Sequence, residues 1–187
     1  AARRGTSVSG LRVGAVSVGE RAEGLQVRGV RIEGGTGRCL ASVAVVQDRA
    51  YWEVHVVEVV AGLSSRLLVG MSPPLPPGAG ALEQELGAAS RSYGVQLGAG
   101  GDAPLQAGDV VGVAYDQAVF PVGVSVWRNG VRISAAPPRG LKGEQWPALF
   151  ISGCTVDWAL SEEHWKSASA CPEGFGALMP SRGLIGD

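Results

Sequence analysis

Lysine is nearly absent from this chain of 187 residues: Lys142 and Lys166 are the only two, and the remaining positive charge is arginine. With a net charge of −1 and no basic cluster longer than Arg3-Arg4, the chain lacks the basic face that nucleic-acid binding requires. Set beside the excess of Ala, Gly and Val, the arginine usage reads as coding bias, not as a binding surface. No apolar run reaches the ~18 residues of a membrane helix. No signal-peptide pattern is visible, and a first residue other than Met is what a processed product or a piece of a longer polypeptide would show. The cysteines, Cys39, Cys154 and Cys171, are odd in number and far apart; they fit no metal spacing and read as reduced thiols of an intracellular protein.

Reactive groups are equally sparse. The two histidines, His55 and His164, sit on unlike elements, and neither has a Ser or Cys motif nearby. There is no Gly-x-Ser-x-Gly elbow and no His-Glu-x-x-His. Glu53 and Glu58 share a strand pattern at an odd spacing, which sets them on opposite faces, unless a bulge intervenes, instead of pairing them for glycoside cleavage. Asp109 and Asp116 flank a strand as turn residues, and no Asp-rich calcium loop exists. Gly34-Gly35-Thr36-Gly37-Arg38 is glycine-rich, yet no Lys-Ser/Thr and no helix pattern follow, so it reads as a flexible turn and not as a phosphate cradle. The expectation is a non-enzyme with no cofactor, no metal, no small-molecule ligand, and no nucleic-acid or membrane partner.

What is present is a period of two. Val111, Val113 and Tyr115 alternate with Val110, Gly112 and Ala114; Val122, Val124 and Val126 alternate with Gly123, Ser125 and Trp127. Pro121 lies in the loop between them, and Asn129-Gly130 predicts a type I′ turn into Val131-Arg132-Ile133. Residues 51–60 predict a strand with Trp52, Val54 and Val56 on the core face and Tyr51, Glu53 and His55 on the other; His55 reads as a polar sheet-face residue. Residues 66–72 return as its hairpin partner. Residues 39–46, 93–97, 147–151 and 155–160 are further strands. In residues 25–32 the phase slips at Gly29, which predicts a bulge.

Between strands, Pro73-Pro74-Leu75-Pro76-Pro77-Gly78 favours polyproline II and a stiff surface loop. Residues 81–89 hold helix formers, and Ser161 with Glu162 and Glu163 predicts one helical turn with Ser161 as N-cap. Leu11-Arg12-Val13 and residues 15–18 have strand composition, residues 1–10 read as poorly ordered, and Phe175, Leu178, Met179, Leu184 and Ile185 give the C-terminus area to pack back. Many short strands at spacings of ~8–12 residues with Gly/Pro turns predict an all-β fold, a two-sheet antiparallel β-sandwich with at most short helical turns. The divisions are an N-terminal extension over 1–24 that can add a strand, the sandwich over 25–175, and a tail over 176–187 packing on it.

The residues 108–130, GDVVGVAYDQAVFPVGVSVWRNG, resemble the centre of a SPRY domain. Tyr51-Trp52-Glu53-Val54, Leu68-Val69-Gly70-Met71-Ser72, Ser92-Tyr93-Gly94 and Trp146-Pro147-Ala148-Leu149-Phe150 stand around it in the family's order, and Pro172-Glu173-Gly174-Phe175 resembles its closing segment. The strands of a preceding PRY part are not evident. The resemblance spans about Leu25 to Phe175 and implies two bent sheets related to concanavalin-like lectin sandwiches. It also implies a module that binds other proteins through loops at one end.

Carried over, those loops are residues 34–38, 72–78, the region before Ser92, and 151–154. The candidate partner-binding residues on them are Thr36, Arg38, Ser72, Pro73, Leu75, Arg91, Tyr93, Ile151, Ser152 and Cys154, with Trp127 and Arg128 added from the central hairpin as an outward anchor pair. Members that bind Asn-rich peptides carry Trp-Gly where this chain has Ser152-Gly153, which argues against that peptide class. The expectation is a structural or scaffolding part of a large intracellular assembly, cytoplasmic or attached to the cytoskeleton. The alternatives are a substrate receptor of a ubiquitin ligase, for which no cullin-box sequence is present, and a carbohydrate-binding sandwich. For the last, Asn129 is the only asparagine and is committed to a turn.

Overall fold

Alternation governs the packing as it governs the sequence. The structure, a computed structural model, describes residues 15–61, 64–76, 78, 80–88, 91–101, 103–133, 135–167 and 170–180. The expectations for residues 1–14, Pro77, Ala89 and 181–187, Leu184 and Ile185 included, lie outside the described residues. The strands are β1 (Val18–Arg21), β2 (Gln26–Arg28), β3 (Arg31–Glu33), β4 (Thr36–Ala41), β5 (Arg49–Val59), β6 (Arg66–Ser72), β7 (Tyr93–Gly98), β8 (Val110–Asp116), β9 (Gly123–Arg128), β10 (Val131–Arg132), β11 (Trp146–Ser152) and β12 (Cys154–Ala159). One sheet has five strands in the order β1-β4-β11-β6-β7; the other has seven, β10-β9-β8-β5-β12-β3-β2. Neighbouring strands pair antiparallel throughout, so the expected two-sheet antiparallel β-sandwich is what the chain forms.

The inner faces are the period-two sets. Trp52, Val54 and Val56 from β5, Val111, Val113 and Tyr115 from β8, and Val156 and Trp158 from β12 meet Leu67, Val69 and Met71 from β6 and Leu149 and Ile151 from β11. Trp52 is a core residue, as alternation required. Burying a large apolar side chain is worth roughly 1.5–3 kcal/mol, so this interior is the main stabilising term. Burial also holds the thiols in their neutral form: Cys39 is pushed up to about 12 and Cys154 to about 11.

Turn chemistry places the strand ends. Asn129 (φ 50°) and Gly130 (φ 80°) form the two-residue connection between β9 and β10, with Val131 opposite Arg128. The expected bulge at Gly29 is instead a second hairpin turn: Gly29 (φ 61°) and Val30 separate β2 from β3, and Arg28 faces Arg31. A phase slip in the apolar pattern fits either geometry; the pairing decides it. Residues 80–88 form turns and no helix, because Gly80 and Gly87 take positive φ and the carbonyls of Gln84 and Glu85 point to Arg38. The expected turn after Ser161 is a 3-10 turn over Glu162–His164, and the Ser161 hydroxyl pairs with the His164 ring (2.9 Å) instead of capping a backbone N–H. Among the described residues no helix is long and apolar enough to cross a membrane.

Candidate functional site

Both outer sheet faces carry a cover made by the chain itself. Over the five-stranded sheet, Leu75, Leu82 and Leu86 pack on Leu40, Leu68, Ala148 and Phe150. Arg38 pins this cover from below. The residue is 1 % exposed, and its guanidinium donates to the carbonyls of Gln84 (2.8 and 3.1 Å) and Glu85 (2.8 Å) and to Ser72 Oγ (3.4 Å). Burial lowers the pKa of Arg38.

Over the seven-stranded sheet the corresponding anchor is Glu53, 0 % exposed. Its carboxylate accepts the backbone N–H of Lys166 (2.8 Å) and Ser167 (3.0 Å) and the Tyr51 hydroxyl (3.2 Å), and it lies 2.7 Å from His55 Nε2. Trp165 stands edge-on to Tyr51 with ring centroids 4.9 Å apart. Further along, Tyr51 N–H donates to the carbonyl of Gly176 and Gln47 Nε2 to that of Ala177.

The covers leave the two ends of the sandwich, and strand register assigns each candidate residue to one of them. Ser152, at the end of β11, faces Thr36 on one side and Arg66 on the other; Trp146, at its start, faces Ser72. Six residues at ~3.3 Å each separate these positions by about 20 Å. Thr36 and Ser152 therefore share one end, where their hydroxyls are 3.0 Å apart. Ser72, Pro73, Leu75, Arg91 and Tyr93 belong to the other, where Arg91 donates to the carbonyl of Lys142 (2.9 Å) and Tyr93 to that of Ala136 (2.6 Å).

Several candidates are not on loops. Thr36 and Arg38 are strand residues of β4, Ile151 and Ser152 of β11, and Cys154 of β12. Ile151 and Cys154 line the core, because Gly153 (φ 66°) is a corner at which the chain passes from one sheet to the other and both inner faces look into the same interior. Arg38 and Ser72 are buried under the first cover. Trp127 points outward beside Gly112 and Arg132 and is half-buried.

At the Thr36–Ser152 end a charged knot fixes the loop entering β8. Asp109 Oδ2 lies 2.6 Å from the Arg128 guanidinium, and Oδ1 accepts from Asn129 Nδ2 (2.8 Å); the Gln106 N–H donates to Oδ2 (2.9 Å). Arg128 also donates to the carbonyl of Ala103 (3.0 Å), so this side chain braces the loop. Beside the knot lies an open groove of about 400 Å³ lined by residues that include Ser64, Ser65, Gly100 and Leu105.

Burial raises the Asp109 pKa, but the donors Arg128, Asn129 and Gln106 outweigh it and hold the carboxyl below the ordinary range. A depressed folded-state pKa contributes stability above the unfolded value and loses it as pH falls through the folded one. Asp109→Asn should therefore cost about 1–3 kcal/mol at pH 7. In urea denaturation the gap between parent and variant should close on acidification below about pH 4. A gap that stays constant with pH would show the knot to be unimportant.

At the opposite end the loop Gln117–Val122 is anchored and its tip is bare. The Gln117 N–H donates to the carbonyl of Asp48 (2.8 Å), its side-chain amide to that of Gln47 (2.6 Å), and the Ala118 N–H to Asp116 Oδ1 (3.0 Å). Phe120 at the tip is 100 % exposed, next to the exposed Val119. Val46 and Met179, also exposed, belong to neighbouring segments. The sequence places residues 117–121 in a loop through Asp116 and Pro121, as found, without marking Phe120 as its bare tip. Among the described residues no group of three or more His, Cys, Asp or Glu is arranged to hold a metal ion.

Solved structures share this two-sheet antiparallel sandwich. No family model matches the chain, and no curated protein matches it. The SPRY domain of human HERC1 matches with a TM-score of 0.51 at 20 % identity, covering 72 % of this chain and 91 % of that one. A human SPRY domain matches at 0.51 and 17 % identity, covering 73 % and 95 %, and the PSpry domain of TRIM65 at 0.51 and 12 %, covering 77 % and 89 %. The chain has the SPRY fold.

Proposed function

We propose that this chain is a non-catalytic protein-interaction module, a scaffolding part of a larger intracellular assembly, that meets its partner at the Thr36–Ser152 end. One observation supports this most: each outer face carries a hydrogen-bonded cover made by the chain itself, whereas this end offers an exposed hydroxyl pair beside an open groove on a braced loop. Rigid scaffolds with such rims carry recognition on their loops. The SPRY-fold neighbours favour the same reading.

The test is quantitative affinity capture with the parent chain, Thr36→Arg and Trp127→Ala. Thr36 is exposed, so its replacement should change stability by less than about 0.5 kcal/mol. Thr36→Arg should reduce capture of the parent's specific partner by at least about tenfold. Trp127→Ala should reduce capture per folded molecule if the indole is an anchor; a fall in melting temperature with capture unchanged would make it a packing residue. Equal capture by parent and Thr36→Arg, or no protein enriched over an unrelated sandwich, would defeat the proposal.

A further inference from the structure

Trp146 starts β11 and packs on the outer cluster of Leu40, Leu68, Ala148 and Phe150, not on the interior between the sheets. It is half-buried, and it lines a pocket of about 140 Å³ with Glu20, Leu40, Ser42, Pro74 and Leu75. Small-molecule sites ordinarily measure ~300–1,000 Å³, so this one has room for a single side chain. Strand order brings its walls together. Glu20 lies on β1, Leu40 on β4 and Trp146 on β11, three adjacent strands, and Pro74 and Leu75 follow the end of β6. At ~4.8 Å per strand the Glu20 and Trp146 backbones stand about 10 Å apart, with the pocket between them. Val18 packs on the core, yet Glu20 reaches this outer pocket. The register of β1 against β4 shifts between Val18 and Arg21, and such an irregularity re-aims the side chain it carries.

The lining selects a cation. Glu20 is exposed and makes no ion pair among the described residues, and no described lysine or arginine lines the pocket. Tryptophan offers the ring face that attracts a cation most strongly. Leu40, Pro74 and Leu75 give apolar contact for a methylene stem. Ser42 Oγ accepts the Ser17 N–H (3.1 Å) and keeps a second lone pair for another donor. An ammonium, compact and with rotatable donors, suits a carboxylate and a hydroxyl that come from different strands. A guanidinium holds five donors in one plane, and most of them would face these apolar walls unpaired. We propose that this pocket takes a lysine side chain of a partner protein, with its ammonium between the Glu20 carboxylate and the Trp146 indole. The pocket lies at the other end of β11 from Ser152, so this contact and the rim can each fail without the other.

Two-dimensional NMR of the isotope-labelled full chain tests it, by titration with the capped peptide acetyl-Gly-Lys-Gly-amide and its norleucine and arginine counterparts. The Trp146 indole N–H signal, identified by its loss in Trp146→Leu, should shift saturably with the lysine peptide, with half-saturation at about 1–10 mM. The norleucine peptide has the same stem without the charge and should leave the signal in place. The arginine peptide should bind at least about threefold more weakly than the lysine peptide. Glu20→Gln is a conservative change at an exposed position, and a melting temperature matching the parent's confirms that it folds. It should bind the lysine peptide about fivefold more weakly, and Trp146→Leu, followed at the Ser42 amide, about tenfold more weakly. No saturable shift up to about 50 mM, equal binding of the norleucine peptide, tighter binding of the arginine peptide, or parental affinity in Glu20→Gln would each overturn the proposal.

Discussion

Replacing Glu53 by alanine is expected to cost about 3–5 kcal/mol, the range for removing one member of a buried charged network. The carboxylate, itself closed to water, is the common acceptor for two backbone amides of the C-terminal cover, a buried tyrosine hydroxyl and a buried histidine ring. Without it the Tyr51 hydroxyl and the His55 ring are buried and lose their acceptor, the Lys166 and Ser167 amides lose theirs, and the cheapest relief is for residues 165–167 to lift off the sheet. Urea denaturation should show the loss, and hydrogen exchange at the Lys166 and Ser167 amides should accelerate more than in the core strands. Glu53→Gln keeps one acceptor oxygen and should lose less. If Glu53→Ala stays within about 0.5 kcal/mol of the parent, apolar contacts such as Trp165 on Tyr51 hold the cover unaided.

Arg38→Met is the counterpart on the other face. Methionine preserves much of the buried volume and removes every donor, leaving the carbonyls of Gln84 and Glu85 without the guanidinium that orients them. About 2–3 kcal/mol should be lost, and limited proteolysis should cut within residues 80–88 before any strand is released. Unchanged cleavage at that segment would mean that Leu75, Leu82 and Leu86 alone secure it. Both variants separate the covers from the sandwich, and both should leave the core alternation intact.

The interior was legible in the sequence because it is local. Val111-Gly112-Val113-Ala114-Tyr115 and Tyr51-Trp52-Glu53-Val54 announce their inner faces by spacing alone, and Asn129-Gly130 announces its turn by the φ values it tolerates. The site was legible only in part, because its features are set by partners far along the chain. Arg38 looks like an exposed loop residue until carbonyls 46 and 47 positions away close over it. Ile151 and Cys154 look like a loop until Gly153 proves to be a corner between sheets. The chosen loops were expected at one end, yet register splits them between two, since each strand carries one loop to each end of the sandwich. The loop that carries Phe120 was legible from Asp116 and Pro121, but the exposure of the Phe120 ring at its tip was not, because that depends on what the rest of the chain packs against it.

The most direct test of recognition at the rim is hydrogen exchange of the chain alone and bound to the protein it captures. New protection should fall on residues 34–36, 98–105 and 152–153, with the amides of the two covers, 80–88 and 161–167, unchanged. Protection gained on the covers while the rim exchanges as before would place the partner on a sheet face and contradict binding at the Thr36–Ser152 end.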